Sequence, residues 1–138
     1  PEDYVISTGE SYSVRQFLVY CFDYVGIKIK FQGKDTNEIG VIESIDHDKI
    51  SSFCIDREFN AIKEGDEVLN IDPYYYRPTE VDALIGDSSK ARRELNWKPK
   101  YDLKKLVSEM MEYDIEEVQK RHLTSQSKYN KFSPFKDS

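Results

Sequence analysis

Ser13-Val14-Arg15-Gln16-Phe17-Leu18-Val19-Tyr20-Cys21-Phe22-Asp23-Tyr24-Val25-Gly26 runs directly into Ile27-Lys28-Ile29-Lys30-Phe31, and the change of period at Gly26 decides the fold class. Before that glycine, Val14, Phe17, Leu18, Cys21, Phe22 and Val25 recur at steps of three and four and form one apolar stripe of a helix. Ser13 with Gln16 is a capping box, in which each side chain satisfies an amide the helix leaves unpaired. Gly26 ends the helix as a residue free to turn left-handed. After it, Ile27, Ile29 and Phe31 alternate with lysines, the pattern of a half-buried strand.

Upstream, Asp3–Ser7 has a short apolar centre and reads as a strand. Downstream, Gly33–Gly40 reads as a polar loop, and Val41–Ile45 and Glu67–Ile71 as two further strands. The ground from Asp46 to Asp66 is mixed, Asp72-Pro73 breaks the pattern, and Val81–Ile85 is a short extended stretch or a turn. Asp87-Ser88-Ser89 offers helix caps, and Lys90–Leu95 predicts a short helix ending at Asn96-Trp97-Lys98-Pro99. Asp102 caps a last helix, with Leu103, Leu106, Val107, Met110, Met111 and Val118 on its apolar stripe. Periodicity is lost after Lys120. The expected organisation is therefore a lobe over 1–120 and a polar, poorly ordered tail over 121–138. The order of elements gives a small α/β chain, more closely an α+β lobe, that lacks a complete doubly wound sheet.

Composition sets outer limits. The formal net charge of −6, with 33% charged residues, argues against nucleic acid or an anionic membrane as partner, since either needs clustered basic charge. No apolar run approaches the about 20 residues needed to span a bilayer. Two cysteines cannot make a disulfide framework; Cys21, on the helix stripe, reads as a buried thiol, and a reducing cytoplasmic setting follows. Without an initiator Met and entering almost at once into a strand-like run, the chain is expected to be a piece of a longer protein.

The motifs of catalysis are missing. The six glycines form neither GxGxxG nor a P-loop. Tyr24-x-x-x-Lys28 matches a catalytic pair only formally, because it straddles Gly26 and the two side chains would not share a helix face. His47 and His122 have no partnering pattern, so no metal or nucleophilic site is built on them.

The unusual segment is Tyr75-Tyr76-Arg77-Pro78-Thr79-Glu80-Val81-Asp82. Proline holds the backbone of Arg77 extended, and Arg77 is a planar bidentate donor. Glu80, three residues on, is an acceptor suited to paired ribose hydroxyls. Together they would suit a nucleoside diphosphate, but spacing alone favours an ion pair that pins a loop, which is the commoner arrangement. Arg15, at the second position of the first helix, opposes the helix dipole, which hints at a specific partner: solvent, a carboxylate or a phosphate.

Tyr75-x-Arg77-Pro78-Thr79-Glu80-Val81-Asp82, followed by Leu84-Ile85-Gly86-Asp87-x-x-Lys90-Ala91 and Glu94-Leu95-x-Trp97-Lys98-Pro99, resembles the end of the GDP-mannose 4,6-dehydratases, a family of extended short-chain dehydrogenase/reductases. Pro1–Ile6 with Thr8-Gly9, Ser13–Phe17, Asn37-Glu38-x-Gly40 and Val68–Tyr75 fit the same family. The resemblance implies a C-terminal substrate-binding portion without the complete Rossmann sheet. In that family GDP-mannose becomes GDP-4-keto-6-deoxymannose with NADP as an internal hydride shuttle. The family's catalytic residues and cofactor glycines lie upstream of this segment, so no catalysis and no NADP binding are expected of this chain alone. Arg77 would then contact the diphosphate of GDP-mannose and Glu80 the ribose, with Arg15 a third substrate-binding candidate. The implied partners are an N-terminal Rossmann domain and, for the parent, a homodimer or homotetramer. Asn96 stands where the family has glycine in its Trp-x-Pro turn, and Trp97 is expected to pack. Of Tyr74–Tyr76, one ring is expected to be buried and another near ligand. Two alternatives remain: a non-catalytic interaction subunit derived from the family, and the lobe of a related nucleotide-sugar epimerase or reductase.

Overall fold

The structure, a computed structural model, describes residues 1–53, 62–77 and 84–131. Helix α1 (Val14–Tyr24) leads through Gly26, at φ +88°, into strand β1 (Ile27–Gln32). A 3-10 turn over Asp35–Asn37 precedes β2 (Ile39–Ile45), which is followed by the short helix α2 (His47–Ser51) and by β3 (Glu67–Asn70). Helices α3 (Ser89–Leu95) and α4 (Leu103–Lys131) complete the described chain. The three strands form one antiparallel sheet in the order β1-β2-β3, so the α+β reading holds.

The capping box is present as expected: Gln16 N–H donates to Ser13 Oγ at 3.1 Å, and Ser13 N–H donates to Gln16 Oε1 at 2.9 Å. Lysines alternate with buried Ile27 and Ile29 along β1, and these two pack with Ile42 and Ile50 in one apolar cluster. Leu18, Val19, Phe22 and Val25 close it from the α1 side, and Val68 and Leu69 from β3. Each buried isoleucine contributes roughly 1.5–3 kcal/mol relative to exposure. β1 and β2 pair in register from Gln32↔Ile39 to Ile27↔Ile45, with a bulge that leaves Glu43 unpaired and exposed.

Several expectations are corrected. Val14 does not join the half-buried stripe of α1 but is 74% exposed, and no residue of the helix is fully buried. Cys21 is half-buried rather than buried, and burial pushes its thiol up. Residues 3–7 do not form a strand. Side chains of α3 hold the segment in place of a ladder: Arg92 Nη2 donates to Thr8 O at 2.8 Å and Lys90 Nζ to Asp3 O at 3.3 Å, while Ser7 Oγ donates to Gly86 O ahead of the helix at 2.6 Å. Lys90 also pairs with Glu2 at 2.9 Å and stands over the Tyr4 ring.

α3 starts at Ser89, whose hydroxyl and amide donate to Asp87 Oδ1 at 2.5 and 2.9 Å; these two bonds hold the Asp87 carboxyl below its usual range. It ends at Asn96 in the left-handed conformation (φ +50°), so the turn expected around Trp97 is kept, and Trp97 itself is half-buried. Asp102 caps α4 by accepting the Lys105 amide at 2.8 Å. α4 continues to Lys131, past the Lys120 at which apolar periodicity stops. Lys120 lies 3.4 Å from both Glu116 and Glu117, pairs that support a helix without a buried face. Among the described residues no helix is long and apolar enough to cross a membrane, and no group of three or more His, Cys, Asp or Glu could hold a metal.

Candidate functional site

Beyond β3 the chain enters the segment that carries the sequence signal. Asp72 shapes its start: its carboxylate accepts the Tyr74 amide at 2.8 Å, and its carbonyl accepts the Tyr75 amide at 3.0 Å. Tyr74 and Tyr75 are 85% and 75% exposed, their rings edge-to-face at 5.0 Å. Tyr76 is the half-buried one of the three. Its hydroxyl donates to Asp35 Oδ1 at 3.3 Å, and the negative charge of Asp35 raises the phenol above its ordinary value. Arg77 is exposed at the end of this run. Glu80 lies outside the described residues, as does the rest of the Pro78–Asp82 string and Cys54.

Arg15 lies elsewhere, on α1, and already has a partner. Its Nε donates to Glu38 Oε2 at 3.1 Å and its Nη2 to Glu38 Oε1 at 2.5 Å, a two-pronged pair in which Glu38 is largely buried and Arg15 is 60% exposed. The guanidinium also stands 5.7 Å from the centre of the Phe31 ring. Of the three partners open to Arg15 from sequence, the structure supplies the carboxylate. Its 23-residue separation from Glu38 spans α1, β1 and the hairpin turn, so only the strand register reveals it.

Arg15 and Glu38 line a cavity of about 370 Å³, whose apolar walls include Leu18, Phe31, Leu69 and Ile71. Ile71 is the last residue before Asp72, and Asp35 sits three residues before Glu38, so the cavity wall, the 3-10 turn and the Tyr76–Arg77 segment adjoin in the chain. A second cavity, about 270 Å³, lies between α1 and α4 against Tyr20, Tyr24, Lys104 and Val107. Sequence reasoning noted Glu38 only as part of a family string and missed Asp35 altogether. The sign it left was Gly33, whose φ of +86° lets the chain reverse tightly just before Asp35.

A family model for GDP-mannose 4,6 dehydratase matches residues 1–110. The chain belongs to this family. It is 40% identical over 130 residues to a GDP-mannose 4,6-dehydratase of Vibrio cholerae serotype O1, covering 94% of this chain and 32% of that protein. It is 42% identical to the Drosophila melanogaster GDP-mannose 4,6 dehydratase (87% of this chain, 26% of that protein). The human protein of that name is 41% identical (84% and 26%). The chain thus spans about a third or less of the length of these dehydratases.

The dinucleotide cofactor that the sequence resemblance implies does not fit the residues present. A pyrophosphate needs a glycine-rich turn between a strand and a helix N-terminus. The described strands are all antiparallel, and the glycines of the chain make no such turn.

Proposed function

We propose that this chain is the GDP-sugar-binding portion of a GDP-mannose 4,6-dehydratase, with no catalysis of its own. The observation that carries the reading is the family match over residues 1–110, within which Arg77 lies exposed just after a turn shaped by Asp72. Arg77 contacts the diphosphate through paired N–H donors, and Glu80 takes the ribose hydroxyls. Arg15 serves as a wall of the adjoining cavity through Glu38 and is the weaker substrate candidate, since its donors are already engaged. In the parent, the NADP, the hydride transfer and the elimination of water belong to an N-terminal Rossmann domain, and the parent assembles as a homodimer or homotetramer in the cytoplasm. Val5 and Ile6, 53% and 56% exposed, belong to the segment bonded to Gly86 through Ser7, and Leu84 and Ile85, which lead into Gly86, are 81% and 62% exposed. This apolar surface supports a covering by the rest of the dehydratase.

Calorimetric titration of GDP into the chain tests the site. Weak binding is expected from half of a cleft, and Arg77→Ala lowers the affinity at least about tenfold, as removal of a charged hydrogen-bond donor does. Equal heats for the two proteins refute the phosphate role of Arg77.

A further inference from the structure

Resting on the reading of Arg77 as the diphosphate contact, the geometry points to Tyr76 and Asp35 as positioning residues, whose mutual hydrogen bond fixes where Arg77 is presented. Arg77 sits on a segment of turn and irregular backbone. Such a segment surrenders conformational freedom when it grips a ligand unless something holds it beforehand. The bonds to Asp72 set the local shape of residues 72–75 but do not attach them to the rest of the fold. Tyr74 and Tyr75 project into solvent. Among the described residues of this segment, the side-chain bond that reaches a distant element is that of Tyr76 to Asp35, 41 positions away.

The landing point is a closely bonded turn. Asp35 holds φ +53°, in the left-handed region that few residues other than glycine, asparagine and aspartate enter. It is followed by the Asn37 and Glu38 amides, which donate to Lys34 O and Asp35 O at 3.1 Å each. Gly33 packs so closely that a β-carbon there would stand 2.3 Å from Asn37 O. Glu38, at the end of the turn, is gripped by both prongs of Arg15 on α1. A phenol tied to this turn is therefore tied to both the helix and the sheet. Arg77 follows Tyr76 directly, so the tie restricts its backbone to within one residue of an anchored side chain.

The test titrates GDP into the whole chain as wild type, Tyr76→Phe, Asp35→Asn, Arg77→Ala and the Tyr76→Phe/Arg77→Ala double variant. Tyr76→Phe weakens binding about three- to tenfold, the span expected for one net hydrogen bond. Asp35→Asn stays near wild type, because asparagine accepts the same bond and tolerates the same backbone. The double variant binds no worse than Arg77→Ala alone, since Tyr76 acts through Arg77. Full affinity in Tyr76→Phe, or the same fold-loss from it in the Arg77→Ala background, overturns the inference. Hydrogen exchange of the 72–77 amides without ligand separates the two levels. Faster exchange in Tyr76→Phe supports the tether even if GDP fails to bind, in which case the diphosphate reading alone is lost. Unchanged exchange refutes the tether itself.

Discussion

Ile42→Ala destabilises the chain by about 3 kcal/mol, within the range for emptying a large aliphatic site in a packed core. Ile42 is 1% exposed and stands on the central strand, paired to β1 on one side and flanked by β3 on the other. Its side chain belongs to the cluster with Ile27, Ile29 and Ile50, so the cavity left behind opens within that cluster. Neighbours on a hydrogen-bonded sheet shift little to fill such a space. Folded domains of this size hold only about 5–15 kcal/mol in total, so a loss of that order is a large share. Urea denaturation followed by circular dichroism reads it as a fall in midpoint with an unchanged slope. A loss below about 1 kcal/mol contradicts the core assignment.

Gly33→Ala is the second large effect, and its control is inside the same chain. Gly33 and Gly65 have nearly the same backbone, φ +86° and +89°, so alanine meets the same left-handed strain at both, roughly 1–2 kcal/mol. A β-carbon at Gly65 meets nothing within 4 Å, whereas at Gly33 it meets Asn37 O at 2.3 Å and Glu38 Cα at 3.3 Å. The excess of Gly33→Ala over Gly65→Ala in thermal or urea unfolding therefore isolates the clash inside the 33–38 turn. Because Glu38 must move to relieve it, the Arg15–Glu38 pair loosens as well. Equal losses for the two variants would show that the turn yields freely and that it is no firm anchor.

What the sequence disclosed follows from how local each feature is. α1 and β1 were legible because the capping box, the stripe and the strict alternation all lie within 19 consecutive residues, Ser13–Phe31. The cluster of isoleucines follows from that alternation once β2 pairs with it. α2 escaped notice because it is only five residues long; its one local sign is Asp46, whose carboxylate accepts the Lys49 amide at 3.0 Å. Residues 3–7 carry the apolar content of a strand, but a strand also needs a neighbouring edge, and here the backbone carbonyls of Asp3 and Thr8 go to side chains of α3. α4 outlasts its apolar stripe because i,i+3 and i,i+4 pairing at Lys120 needs no buried face.

The candidate site divides the same way. Arg77 was found from its neighbour proline and from a family string, both contiguous. Glu38 as the partner of Arg15, and Asp35 as the acceptor for Tyr76, are products of the β1–β2 hairpin and of the return through β3. Separations of 23 and 41 residues leave no pattern in a single chain that would join them. The turn that brings them together is marked only by Gly33.

The central claim is that a GDP-sugar is held at the Tyr76–Arg77 segment, and amide chemical shifts of the nitrogen-15-labelled chain titrated with GDP-mannose test it most directly. The account predicts progressive, saturable shifts at residues 72–77 and at the 35–38 turn, with little change along α4. Absence of any shift at high ligand, or shifts confined to the α1–α4 cavity around Tyr20 and Lys104, contradicts it.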